Sequence, residues 1–281
     1  MSKAAKLSRR VLPRSLRRAL QARHVSSAEN VYHCCVHKTA SQWIRKILSD
    51  SRTYKYSGLE VHSAETERSD GADTRPMTER AYTEAFPRAT IITPLYIDFA
   101  SFQRIPKPDQ FRAFFVPRDP RDVVISWYFS VKLSHKVMGR IGDVREKLQI
   151  LPEEDGLQFV IEFVNTRGGF EALRSWQQSV KGDDRLRIFK YEELTDERQF
   201  ATWKALLGHC DIAMPDHVLH DVLQEYAFSA LTKGRARGEE DVKSHLRKGV
   251  HGDWKNHFTT AVEKKFREVT GGLVEELGYL W

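Results

Sequence analysis

Cysteine is scarce in this 281-residue chain, with three residues in all: Cys34 and Cys35 sit side by side in an apolar run, and Cys210 lies far from both. Thiols so few and so placed exclude a disulfide framework, and they read as small buried residues of a reducing compartment. Long hydrophobic runs are missing too. No segment approaches the roughly 20 apolar residues of a membrane span, and the first 28 residues lack the continuous apolar stretch of a secretion signal. A cytoplasmic protein is expected. Internal repeats are absent, and no cluster of His, Cys, Asp and Glu demands a metal.

Charge is present in quantity but unevenly placed. The 45 basic and 38 acidic residues leave a formal +7, yet Lys3, Lys6, Arg9, Arg10, Arg14, Arg17, Arg18 and Arg23 all precede the first acid, Glu29. Without them the balance is about −1, so the basic character describes an N-terminal arm, residues 1–28, and argues poorly for nucleic-acid binding. The arm is expected to be solvated or loosely packed. It also has the look of an organelle transit peptide, or of a segment making weak contact with an anionic membrane surface, although Pro13 interrupts any amphipathic helix. Residues 29–281 are expected to form a single domain.

Within that domain short apolar runs alternate with longer helical patterns, which predicts an α/β fold with a mainly parallel central sheet flanked by helices. The strand candidates are 31–36, 89–97, 111–116 and 185–191. Helices are expected over 41–48, 120 to about 133, two pieces within 157–180 split at Gly168 and Gly169, and 195–210. The polar segment 56–88 reads as a long excursion from the sheet, a kind of segment that is often functional.

Three stretches offer to hold anions. "HKTASQW", 37–43, follows the first strand and opens a helix, where backbone N–H groups face a ligand; Lys38 adds a point charge, and Thr39, Ala40 and Ser41 are small enough for close approach. The lysine precedes the small residues and no glycine is present, so this is not the GxxxxGK[ST] loop of ATP and GTP enzymes. "PRDPRDVVIS", 117–126, puts Arg118 at a strand end, Asp119 as N-cap, Pro120 at the first helical position and Ser126 about two turns on. "RKG", 247–249, sets two cations beside a flexible turn. Three such elements imply a nucleotide with more than one phosphate group.

In this order the motifs resemble those of sulfotransferases that use 3′-phosphoadenosine 5′-phosphosulfate (PAPS). "HKTASQW" is similar to their 5′-phosphosulfate loop, "RDPRDVVIS" to their 3′-phosphate motif, "FKYEEL" (189–194) to their Tyr-Glu-Asp-Leu segment, and "RKGVHGDWKNHFT" (247–259) to their C-terminal signature almost residue for residue. The resemblance runs from about Val31 to Phe258. It implies a P-loop-like phosphosulfate-binding fold and transfer of a sulfuryl group from PAPS to a hydroxyl or amine of a small-molecule acceptor, with adenosine 3′,5′-bisphosphate (PAP) as product and no metal. It also implies roles. Lys38, with the backbone and hydroxyls of Thr39 and Ser41, holds the 5′-phosphosulfate in a loop that includes Ala40 and Gln42. Trp43 stacks on adenine, and Tyr191 and Phe228 line its pocket. Arg118 and Ser126 bind the 3′-phosphate, joined by Arg247, Lys248 and Gly249.

Departures from the family pattern are equally plain. The family proline before the lysine is His37 here, which reads as a loop residue rather than a catalyst; the loop glycine is Ala40, and the second threonine is Gln42. Cytosolic members carry their proton-accepting histidine about 22 residues before the 3′-phosphate arginine, and that position is Tyr96. Other branches use a glutamate roughly 20 residues past the phosphosulfate loop, so the base candidates are, in order, Glu60, His62, and then Tyr96 or Asp98. The charged stretch 233–241 has the composition of a lid or of a solvated connector. Two other functions stay open: a kinase-like phosphotransferase, and a nucleotide-binding or membrane-surface module without turnover.

Overall fold

Three strands of this chain are mostly apolar and are buried along all or nearly all of their length, and such strands need cover on both faces. The computed structural model, which describes residues 21–64, 73, 75–134 and 141–281, provides it. Asn30–Cys35 (β1), Glu60–His62 (β2), Thr90–Tyr96 (β3), Phe111–Val116 (β4) and Leu186–Ile188 (β5) form one all-parallel sheet in the order β2-β3-β1-β4-β5. Neighbouring side chains alternate between two cores. Val31, Ile91, Phe114 and Val116 pack with Ile44, Leu206 and Val222 on one face, whereas Tyr32, Ile92, Ala113 and Phe115 pack with Val124, Val160 and Trp176 on the other. Helices Ser41–Leu48, Gln199–His209 and Asp216–Glu225 cover the first face; Pro120–Phe129, Glu153–Thr166, Gly169–Ser179 and Thr260–Thr270 cover the second.

The order places β1 between β3 and β4, so the chain reverses direction across the sheet at the carboxyl end of β1, where ligands of open α/β sheets bind. One irregularity sharpens that edge. β1 and β3 are in register through Tyr32 and Ile92, but Cys34 then pairs with Leu95, so β3 holds one extra residue around Pro94, which has no N–H to give to the ladder. Because side chains alternate with period two, that single residue reverses the faces of Leu95 and Tyr96 relative to an unbroken strand.

The sequence expectations need three adjustments. The segment 56–88 is not wholly outside the sheet: Glu60–His62 returns as the edge strand β2, paired with Thr90–Ile92. The fifth strand shrinks to three residues, although the N–H groups of Phe189 and Tyr191 still donate to the carbonyls of Phe115 and Pro117 and carry Tyr191 to the edge of the site. The helix from Pro120 is regular to Phe129 and then widens into a π-helical turn, Ser130–Ser134. The helical break expected at Gly168 is present, with that residue in the left-handed region at φ 70°.

Residues 1–20 of the basic arm lie outside the described residues, and so do 65–72, 74 and 135–140. The end of the arm is packed against the domain. Arg23 and Ser26 donate backbone bonds to Lys55 and Ser57, Ser27 N–H meets the Asp211 carboxylate at 2.6 Å, and Ala28 is buried.

Candidate active site

A cavity of about 1170 Å³ opens at the carboxyl ends of β1, β3 and β4. One end is built from the three stretches expected to hold anions. After β1 the chain turns through two residues with left-handed backbone, Lys38 at φ 71° and Ala40 at φ 59°, and enters helix Ser41–Leu48 with Ala40 as its N-cap. The free N–H groups of a first helical turn and the left-handed residue before it make a concavity suited to an anion. Lys38 also faces the cavity, its ammonium 5.6 Å from the centre of the Trp127 ring. Burial, and secondly the neighbouring Arg118, pushes its pKa down to about 7.

Arg118 ties the three stretches together. Its guanidinium donates to the Lys38 carbonyl at 3.2 Å and to the Val250 carbonyl at 3.3 Å, stacks 4.6 Å over the Tyr191 ring, and lies 3.8 Å from the Asp122 carboxylate. The helix that follows is started as expected, with the Asp119 side chain accepting from Arg121 N–H and Pro120 in the first turn. Asp122 then reaches across to the C-terminal signature, accepting from the N–H groups of Gly252 at 2.6 Å and Trp254 at 3.0 Å. Ser126, half-buried on the same helix, lines the cavity.

The C-terminal cations are held by a carboxylate that sequence reasoning passed over. Asp253, 3% exposed, accepts from Lys248 at 2.6 Å, from Asn256 at 2.9 Å and from Arg247. Burial alone would raise its carboxyl, but the hydrogen bonds from His257, Lys248, Arg247 and Asn256 outweigh that and keep it well below the usual carboxylate range. The Asp of "GDW" was the available signal. Gly249 is required for two reasons: its φ is 69°, and a Cβ there would stand 2.4 Å from the Phe228 ring. The stretch 233–241 is folded back onto these residues, with Gly238 and Asp241 N–H groups donating to Lys248 and Arg247 carbonyls and Arg237 donating to Gly249. Trp43, Tyr191, Tyr226 and Phe228 supply aromatic walls, and the Trp43 indole N–H is anchored on the Tyr226 carbonyl at 2.8 Å.

The loop hydroxyls divide. Thr39 is fully buried and its hydroxyl donates to the Val36 carbonyl at 2.9 Å, so the expected contact of that hydroxyl with a phosphosulfate is corrected: Thr39 closes the turn from behind. Ser41 lines the cavity with its hydroxyl 2.7 Å from the Tyr96 hydroxyl, and the Gln42 amide reaches the same oxygen at 3.5 Å.

The other end of the cavity is aromatic. Tyr96 stacks on His37 with ring centres 3.8 Å apart, His37 meets Trp127 edge-on at 5.5 Å, and Trp127 meets Phe163 at 5.3 Å. Arg80 donates to the Tyr96 carbonyl at 3.0 Å, and Arg167 stands 5.8 Å over Phe163. Of the base candidates only Tyr96 lines this space. Glu60 pairs with Thr90, at the opposite end of β3 from Tyr96; six residues at about 3.3 Å each put it on the order of 20 Å away along the strand. His62 pairs with Ile92 and packs edge-on against Phe86. The Asp98 carboxylate accepts from Ser101 N–H and caps helix Phe99–Arg104. Distance along the chain pointed to Glu60, and the register of β2 turned it away.

Comparison with known proteins agrees with this geometry. The sulfotransferase domain family matches residues 33–278. Sulfotransferase 1 family member D1 of mouse is 26% identical over 163 residues, which cover 55% of this chain and 52% of the relative. Human sulfotransferase 2B1 is 29% identical over 164 residues, covering 55% and 42%. The chain thus spans about half the length of the curated relatives it matches. Among solved structures, mouse sulfotransferase SULT7A1 complexed with PAP superimposes with a TM-score of 0.58 at 16% identity, covering 93% of this chain and 89% of that one. Retinol dehydratase in a complex with retinol and PAP follows at 0.53 and 12% identity, covering 92% and 84%, and these two likenesses concern the fold. With the family profile spanning nearly all of the sheet and both ends of the cavity, the chain belongs to the sulfotransferase domain family.

Proposed function

We propose that the protein moves a sulfuryl group from PAPS to a hydroxyl or amine of a small-molecule acceptor and releases PAP. The observation that carries this reading is Arg118, whose one guanidinium is bonded to both the Lys38 loop and the Val250 loop, so that the three anion-holding stretches act as one receptor. The residues fit the nucleotide in kind: cations and a helix N-terminus for phosphates, aromatic rings for a base, and a cavity large enough for nucleotide and acceptor together.

In this reading PAPS supplies a sulfuryl group on a leaving phosphate, and the chain does the rest. Lys38 stands at the phosphosulfate with Ala40, Ser41 and Gln42. As the sulfur–oxygen bond breaks, charge grows on the departing phosphate, so a fixed ammonium there stabilises the transition state more than the ground state. Arg118 and Ser126 take the 3′-phosphate, with Arg247, Lys248 and Gly249. Asp253 keeps the last two cations aimed at the cavity before any ligand arrives, which lowers the reorganisation needed on binding. Trp43, Tyr191 and Phe228 surround the adenine. The aromatic end, from His37 to Phe163, receives the acceptor, and retinol dehydratase complexes with androsterone and with retinol support a small apolar molecule there. Among the described residues no group of side chains could hold a metal and no helix is long and apolar enough to cross a membrane.

The test is calorimetric titration of PAP, with ATP as the comparison ligand. Micromolar PAP binding is expected, weakened about 100-fold or more in an Arg118→Ala, Lys248→Ala double variant, since each loses charge-assisted bonds worth roughly 1.5–3 kcal/mol. Binding of ATP in preference to PAP would turn the reading to phosphoryl transfer, and no binding of either would remove it.

A further inference from the structure

We propose that His37, the residue immediately before the phosphosulfate lysine, is the general base that deprotonates the acceptor. The inference rests on the sulfotransferase reading and assigns its missing proton acceptor.

Three observations place the imidazole where the two halves of the cavity meet. His37 is half-buried and lines the cavity. Its ring is held flat on Tyr96, at 3.8 Å and 28°, and edge-on to Trp127, at 5.5 Å. The Lys38 ammonium lies 5.6 Å from the centre of that same Trp127 ring, so base and leaving-group cation converge on one indole. The Tyr96 ring beneath the imidazole is fastened by its hydroxyl to Ser41, at 2.7 Å, which fixes the stack to the loop that holds the donor. The one-residue shift in β3 around Pro94 sets the face on which Tyr96 meets this stack.

Other groups able to accept a proton also line the cavity. The Tyr96 hydroxyl is hydrogen-bonded to Ser41 and Gln42. The Asp73 carboxylate is bound by Arg75 at 2.7 and 3.0 Å and stays at about 2, where it is too weak a base. Asp143 is exposed on helix Ile141–Ile150, and His245 lies on the segment that carries Arg247. The charged groups facing the same end as His37 are Lys38, Asp73, Arg80, Asp143 and Arg167. Imidazole accepts protons at neutral pH, which a base for this step must do.

The step balances without further reagents. A ring nitrogen of His37 takes the proton of the acceptor O–H or N–H as that oxygen or nitrogen bonds to sulfur. The bond from sulfur to the 5′-phosphate oxygen breaks, and its electron pair stays on the phosphate beside Lys38.

Two readouts test this on the full chain. In histidine-labelled protein, the imidazole carbon resonance identified by its loss in His37→Gln should move further with PAPS than with PAP, because the two differ at the sulfuryl group; equal responses would overturn the proposal. The second readout is sulfation of a series of phenols of graded acidity. His37→Gln and His37→Asn should lower kcat by about 100-fold or more, most for the least acidic phenol, with KM and PAP affinity within about threefold of the parent. A loss equal across the series would mark a structural role and reject the base. Turnover near the parent's in either variant would do the same. If the parent accepts none of the phenols, the resonance comparison decides. Failure of the intact protein to bind PAP would instead remove the sulfotransferase reading, and this inference with it.

Discussion

The two ends of the cavity are built on different principles. At the end proposed for the nucleotide, stretches after β1, after β4 and near the C-terminus are cross-tied by directional bonds: Arg118 to two carbonyls, Asp122 to two N–H groups, Asp253 to two cations. At the end proposed for the acceptor, His37, Tyr96, Trp127 and Phe163 meet ring against ring. Charge-assisted bonds tolerate little displacement, whereas aromatic packing tolerates changes that conserve volume. The difference teaches that the first end is held in place by directional bonds, whereas the second is packed ring on ring and joins the first through the Tyr96–Ser41 hydrogen bond and the Lys38 ammonium over Trp127.

Breaking the receptor should have the largest effect. Asp122→Ala removes the acceptor of Gly252 and Trp254 N–H groups and leaves Arg118 without its nearest carboxylate, so a stability loss of about 3 kcal/mol and PAP binding weakened on the order of 100-fold are expected from denaturation and calorimetry. Phe163→Ala, at the other end, should leave PAP affinity within about twofold while changing acceptor KM. If both substitutions weakened PAP equally, the separation of the two ends would be wrong.

A subtler probe is pH. The Lys38 ammonium, ordinarily titrating at 10.5, is brought to about 7 by burial and Arg118. Above pH 7 the free protein must take up a proton to bind an anion there, so PAP affinity should fall as pH rises from 7 to 9, by at most about tenfold per unit, and Lys38→Met should flatten the profile. The sign for folding is opposite. Between pH 7 and about 10 the unfolded chain keeps this proton and the folded one does not, so the contribution of Lys38 to stability grows with pH.

The smallest expected effect concerns the turn itself. Ala40 carries a side chain at φ 59°, a region costing L-residues about 1–2 kcal/mol. Ala40→Gly should raise stability by about 1 kcal/mol, or roughly 2–4 °C in Tm, after the extra flexibility of the unfolded chain is set against it. Unchanged stability would mean that the loop gains nothing from relaxing there.

What could be read in advance follows the same division. The phosphate motifs were legible because a strand end, a turn and a helix start lie within ten residues, and the loop position of Lys38, the cap at Asp119 and the turn at Gly249 all appear where the residue types put them. Thr39 was misread because a hydroxyl can turn to the ligand or to its own turn, and here it bonds Val36. Glu60 was expected near the cavity, but it pairs with Thr90 at the far end of β3, because spacing along the chain does not report strand register.

The chain's own residues thus determined the alternation of buried strands with helices, the parallel sheet that such strands require, and the anion-holding loops at strand ends, all of them consequences of local pattern and backbone chemistry. Only the tertiary structure decided which side chains line the cavity. That choice depends on β2 pairing with the far end of β3, which removes Glu60, and on one extra residue at Pro94 that sets the face on which Tyr96 supports His37, relations between segments that no single stretch of sequence contains.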